Sequence, residues 1–159
     1  MAVTVFLDTS VLLAGLIDFG PQSAPAQSLL HAVVLKRAGE PATAWHCCLE
    51  FFSVATRLSP EFRISPPDAA LLIENEVFAR MTVHGLPAQH RLPMLKAAAR
   101  DAVAGGRIYD AHIADIARVS GAAVVITDNR RHFVSALRYG MRVETPAEFL
   151  DGLKGRPVP

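Results

Sequence analysis

Apolar and polar positions alternate in blocks along the chain. A largely apolar run from Val3 to Ile17 is broken by Asp8, which predicts a buried strand over Ala2–Leu7 running into a helix started at Asp8-Thr9-Ser10. Gly20-Pro21 closes that helix, and a second is expected over Ala24–Ala38 before a turn at Gly39-Glu40-Pro41. Ala42–Trp45 reads as a short strand, His46–Arg57 as a helix, and Ser65-Pro66-Pro67-Asp68 as the start of a helix over Ala69–Ala79. A short strand follows near Met81–His84. Pro87–Ala104 has a helical pattern with Pro93 inside it, which predicts a bend or two pieces. The remainder reads as a helix over Asp110–Val119, a buried strand over Ala122–Thr127, a short helix over Arg131–Leu137 and a strand over Met141–Glu144. Thr145-Pro146-Ala147-Glu148 caps a last turn of helix, and Lys154–Pro159 is expected to fray.

Strands separated by helices need crossover connections, so the chain is expected to be an α/β domain with a mostly parallel central sheet covered by helices on both faces. Its length of 159 residues fits one domain, placed at residues 1–153, with enough chain for a core. In such sheets ligands bind outside the carboxyl ends of the strands. Asp8 follows the first strand and Asp128-Asn129 follow Val124-Val125-Ile126-Thr127, while Glu50 and Asp110 fall in the first turns of helices starting at the same edge.

Those acids stand where a solvated charge is not expected. Glu50 lies between Cys47-Cys48-Leu49 and Phe51-Phe52, and Asp110 opens the near-apolar stretch Asp110–Ala117. Carboxylates in apolar surroundings need a cationic partner, a shared proton or a metal ion. Without a nearby lysine, four converging carboxylates point to a divalent cation, and all-oxygen donors suit magnesium or manganese.

Composition narrows the picture further. With 51% hydrophobic and 19% charged residues the chain is not disordered, and a net charge of +1 gives no bulk attraction to nucleic acid. The 16 basic residues comprise 13 Arg and 3 Lys, however, and arginine favours bidentate contacts to phosphate. The adjacent Cys47 and Cys48 are expected as reduced core residues of a cytoplasmic protein. The N-terminal run lacks a basic start and is too short to span a membrane. The six histidines show no H-x-x-x-H spacing, which argues against a zinc hydrolase, and His112 is expected to serve packing or the surface. Asp115 lies about 140° around the helix from Asp110 at about 100° per residue, so a surface or salt-bridged role is expected for it.

Four blocks carry a resemblance. Val5-Phe6-Leu7-Asp8-Thr9-Ser10-Val11-Leu12, Glu50–Arg57, Gly106-Arg107-Ile108-Tyr109-Asp110-Ala111-His112-Ile113-Ala114 and Val125–Phe133 occur in the order found in PIN-domain ribonucleases, and the chain resembles the VapC-type toxins of type II toxin-antitoxin systems more closely still. The resemblance implies a three-layer PIN-like fold with Asp8, Glu50 and Asp110 in the metal-binding positions. Its fourth acidic slot holds Asn129, with Asp128 one residue earlier, so either side chain is a candidate fourth ligand. Thr9 and Ser10 either cap the helix behind Asp8 or, as the family suggests, supply a hydroxyl that orients the site, and Thr127 has the same two roles open. The implied activity is metal-dependent hydrolysis of RNA phosphodiesters with Mg or Mn, leaving a 5'-phosphate and a 3'-hydroxyl. Asp8, Glu50, Asp110 and Asp128 are the implied catalytic residues. Arg57, Arg107, Arg130 and Arg131 flank the acidic blocks and are candidates to hold the RNA backbone, or equally to neutralise the acids in the absence of metal or bind acidic groups of the antitoxin.

The implied partners are an RNA substrate, a small antitoxin and a second copy of the chain. Leu29, Leu30, Val33, Val34 and Leu35 exceed one amphipathic face and suggest a partner surface. Phe51, Phe52 and Phe133 are expected in the core or a dimer face. Two other classes remain open on sequence. A magnesium-binding phosphoacceptor or phosphatase-like domain would use Asp8 as nucleophile, although Asp8-Thr9-Ser10 lacks a second Asp and no lysine follows a late strand. A non-catalytic PIN-like RNA-binding domain would keep the fold without the metal.

Overall fold

The computed structural model describes residues 2–155. Strand β1 (Thr4–Leu7) leads into helix α1 (Thr9–Leu16), a 3-10 turn (Pro21–Ser23) and α2 (Ala24–Val34), then β2 (Glu40–Ala44) and α3 (Trp45–Ala55). Helix α4 (Pro66–Leu72) continues into a π turn (Ile73–Phe78), followed by β3 (Thr82–His84), α5 (Ala88–Arg100), α6 (Arg107–Val119) and β4 (Val124–Ile126). A 3-10 turn (Arg130–Phe133), α7 (Val134–Arg138), β5 (Arg142–Glu144) and α8 (Pro146–Lys154) complete the chain. The five strands form one sheet in the order β3-β2-β1-β4-β5, and every pairing is parallel. Successive residues Val5, Phe6 and Leu7 are all fully buried, although they point to alternate faces, so helices cover both sides of the central strand. Each such side chain contributes about 1.5–3 kcal/mol through burial. Helices α1, α2 and α8 pack as one group and α5, α6 and α7 as another. The close approach of α1 to α2 depends on Gly15, where an added Cβ would lie 2.4 Å from the Leu30 side chain.

This order puts the topological switch between β1 and β4, because the chain winds outward through β2 and β3 and returns to start β4 on the other side of β1. The carboxyl ends of β1 and β4 therefore flank a crevice.

The structure corrects several expected boundaries. Pro41 belongs to β2 and not to a turn. Glu40 N–H donates to Val3 C=O on the β1 side, so alternation turns the Pro41 nitrogen toward β3, ahead of its first paired position at Ala42 and Thr82. The preceding turn is made instead by Lys36 and Gly39, both at positive φ, which also ends α2 four residues earlier than expected. Pro93 does not divide α5, since a proline removes one helical hydrogen bond while the turns on either side keep theirs. Of the expected tail, Lys154 is the last residue of α8 and Gly155 its C-cap, and 156–159 lie outside the described residues. Leu29 and Val33 are buried and Leu30 packs against the core, which leaves Val34 and Leu35 as the exposed part of the suggested partner surface. Cys47 and Cys48 are buried free thiols, and burial pushes them up to about 12 and about 11, so they are inert at neutral pH. Among the described residues no helix is long and apolar enough to cross a membrane.

Candidate active site

Asp8 is the N-cap residue of α1, yet its side chain makes no cap hydrogen bond. It turns into the crevice, where it is 5% exposed. Two hydroxyls donate to the same carboxylate oxygen: Thr127 Oγ1 at 2.8 Å and Ser10 Oγ at 3.0 Å, both to Oδ2. Each hydroxyl is itself fixed by an amide, since Asp128 N–H donates to Ser10 Oγ at 3.1 Å and Asn129 N–H to Thr127 Oγ1 at 3.0 Å. The turn after β4 and the start of α1 thus hold Asp8 in one orientation and leave Oδ1 outside both bonds. Burial pushes the Asp8 carboxyl above the usual carboxylate range, the Thr127 and Ser10 hydroxyls pull it back, and the nearby Glu50 charge raises it further. Of the two hydroxyls expected beside Asp8, Ser10 orients it, whereas Thr9 Oγ1 is buried without a hydrogen-bond partner.

Glu50 and Asp110 face the same space from the helices. Glu50 lies in the second turn of α3 and not in its first, and Asp110 lies in the first turn of α6. His46 Nε2 is 2.9 Å from Glu50 Oε1, near enough for an ion pair when protonated. Its ring is not aligned to donate a hydrogen bond, so Oε1 is buried with no hydrogen-bond donor. Burial also raises Asp110; His132 opposes the rise, Glu50 adds to it, and His46 and Arg107 oppose it. The His132 Nδ1 lies 3.4 Å from Asp110 Oδ2. Glu50 thus stands near enough to both Asp8 and Asp110 for its charge to raise each of them.

Asp128 and Asn129 stand apart. Both are exposed, Asp128 is raised by partial burial alone, and its backbone rather than its carboxylate is tied to the site. Among the described residues no three His, Cys, Asp or Glu side chains are already arranged to chelate an ion. The donor set nevertheless fits a hard cation. Glu50 Oε1 is a buried oxygen without a donor, and Asp8 is a buried carboxylate oriented by hydroxyls that leave one oxygen available.

Three histidines and their contacts were not anticipated. His46 and Glu50 are four residues apart on one helix, a spacing visible in the sequence. His112 is not simply packing: its Nδ1 lies 2.7 Å from His46 Nδ1, and burial, then His46, holds it below the ordinary imidazole range while Asp115 opposes them. Asp115 is salt-bridged as expected, to Arg118 Nε at 2.8 Å. Of the flanking arginines, Arg107 acts on Asp110, Arg130 pairs with Glu148, Arg131 is exposed, and Arg57 lies beyond the far end of α3. Phe51 and Phe133 are core residues, whereas Phe52 is partly exposed beside Trp45 and Phe78.

A PIN domain family model matches residues 4–131. The ribonuclease VapC27 of Mycobacterium tuberculosis is 33% identical over 91 residues, spanning 57% of this chain and 64% of that relative, so the match reaches less than two thirds of its length. Among solved structures, PAE2754 of Pyrobaculum aerophilum aligns with a TM-score of 0.63 at 17% identity, covering 98% of each chain. The DNA-bound VapBC of Salmonella typhimurium aligns with a TM-score of 0.60 at 20% identity, covering 91% of this chain and 98% of that one. These two likenesses concern the fold.

Proposed function

The chain belongs to the PIN domain family, and from that premise we propose that it is an endoribonuclease dependent on Mg or Mn and the toxin of a toxin-antitoxin pair. The observation that carries the reading is the crevice at the β1/β4 switch, where a hydroxyl-oriented Asp8 stands near Glu50, whose buried Oε1 accepts no hydrogen bond among the described residues and faces the His46 imidazole, and Asp110. Asp8, Glu50 and Asp110 hold the cation, with Asp128 or Asn129 as the fourth ligand. When bound, the cation activates water and offsets charge developing on the phosphate. The residues' own contributions are separable. Thr127 and Ser10 keep Asp8 from rotating, and Glu50 raises the proton affinity of both neighbouring carboxyls. His46 and Arg107 offset the negative charge from the helices, and His132 from the turn after β4. Attack by water leaves a 5'-phosphate and a 3'-hydroxyl.

The similarity to VapC27 supports ribonuclease chemistry, and the fold shared with the VapBC complex supports a cognate antitoxin. That antitoxin covers the cleft with a basic or hydrophobic segment, since a cation placed among the acids excludes the metal. The active unit is a homodimer and works in the cytoplasm, where the buried free cysteines stay reduced.

Incubating the purified protein with cellular RNA, with and without Mg or Mn, and mapping fragment ends tests the chemistry. Cation-dependent fragments with 5'-phosphates are expected, and they disappear with Asp8→Asn or Asp110→Asn; full cleavage by either variant refutes the assignment. Expression of the chain alone arrests growth and the Asp8→Asn form does not, and equal tolerance of both forms refutes the toxin role.

A further inference from the structure

Beside the acids lies a cavity of about 710 Å³ whose lining includes Trp45, Leu49, Leu86 and Tyr109 together with Glu50 and Asp110. Trp45 and Tyr109 are 49% and 59% exposed. Both rings are braced from one side: Phe78 meets Trp45 at a centroid distance of 6.1 Å, and His46 meets Tyr109 at 5.6 Å, both edge to face. Arg91 also lines the cavity, and its Nε donates to Leu86 C=O at 3.4 Å. Flat aromatic surfaces, one guanidinium and polar imidazoles thus share a cavity with two of the acids.

We propose that this cavity receives one unpaired nucleobase of the RNA, stacked on Tyr109 and Trp45, so that the adjoining phosphate lies against Glu50 and Asp110. The proposal deepens the ribonuclease reading and rests on it for the identity of the nucleic acid. Every base has an aromatic face, and side chains such as Tyr and Trp hold unpaired bases by stacking. A base inside a duplex has both faces covered by its neighbours and enters only by unpairing. Two exposed aromatic faces and the Arg91 guanidinium suit a planar base carried on a phosphate, and a nucleotide arrives with counter-ions that offset the two carboxylates.

Trp45 is the single tryptophan of the chain and lines both this cavity and the apolar groove with Phe52 and Phe78, so its fluorescence is assigned to this cavity by the dependence on Tyr109, which lines this cavity and not the groove. The titration uses the wild-type protein in magnesium, with oligoadenylate, oligouridylate and the duplex of the two as probes, and reads the Trp45 signal on mixing, before cleavage proceeds. Oligoadenylate is expected to change the Trp45 signal saturably, oligouridylate more weakly because its base stacks less, and the duplex not at all at the same strand concentration. Adding Tyr109→Ala weakens the oligoadenylate response by roughly 5- to 100-fold, and adding Tyr109→Phe leaves it within about twofold. An absent response, an equal response to the duplex, a response only to a protein partner, or no effect of Tyr109→Ala overturns the proposal. Cleavage by the wild type without a Trp45 response leaves the ribonuclease reading standing and ends this one. A Tyr109-dependent response with no cleavage by the wild type supports the cavity assignment and removes the ribonuclease reading.

Discussion

At the sheet edge Asp8 is buried and held by two hydroxyls that are themselves anchored by backbone amides; across the crevice the Glu50 and Asp110 side chains are 39% and 32% exposed and have imidazoles for neighbours. The first side is fixed by parallel strands and the turn after β4, so its geometry follows from the backbone. The second is carried on helices by longer or more exposed side chains whose partners can rotate away. One side of the crevice is thus held rigid, and the other is free to adjust to the cation proposed above.

The largest break in this comparison is Asp8→Asn. It removes a ligand and not merely its support, so cleavage falls by more than the roughly 10–100-fold that losing a supporting hydrogen bond costs. Thermal unfolding without cation stays unchanged or rises slightly, because a buried charge is removed. Next come Thr127→Val and Ser10→Ala, which leave Asp8 in place but free to turn. Each is expected to lower metal affinity and cleavage by about 10–100-fold, and an equal loss from substitutions at His46 or His132 would erase the distinction between the two sides.

The pH dependence of stability has a defined sign. Burial raises Asp8 and Asp110 in the folded protein above their unfolded value of 3.8, so the folded state binds more protons. Stability in the absence of cation therefore falls as pH rises from 3.8 through the folded values, and is recovered on acidification through the same window. Asp8→Asn flattens this profile in chemical denaturation measured across pH with a chelator present. The smallest effect is expected from His132→Gln, which removes a half-exposed neighbour of Asp110. An exposed pair contributes about 0–1 kcal/mol, so cleavage changes by less than about fivefold.

The rigid side was the more legible in the sequence. An acid that interrupts a strand-like apolar run marks a strand end, and the Ser10 and Thr127 hydroxyls stand beside Asp8 and Asp128 in the chain itself. A mostly parallel sheet followed from strands alternating with helices, and every pairing in the structure is parallel. The adjustable side was legible only in part. Glu50 and Asp110 could be placed on helices, but the His46–His112 contact joins residues 66 positions apart and depends on how α3 meets α6. The arginines flanking the acidic blocks were legible as neighbours of the acids, and Arg107 is one, whereas the histidine neighbours were not legible because their spacing forms no metal motif. Pro41 was misplaced for a related reason: a proline fits a central strand where the next strand has not yet begun, and only the register of β3 reveals that gap.

Titration calorimetry with manganese on the purified wild type, Asp8→Asn and Glu50→Gln tests the central claim most directly, because it needs neither an RNA target nor an antitoxin. The account predicts saturable binding to the wild type and its loss in Asp8→Asn and Glu50→Gln, both still folded by circular dichroism. Undiminished binding in either variant, or no binding to the wild type, would contradict a cation site built on Asp8, Glu50 and Asp110.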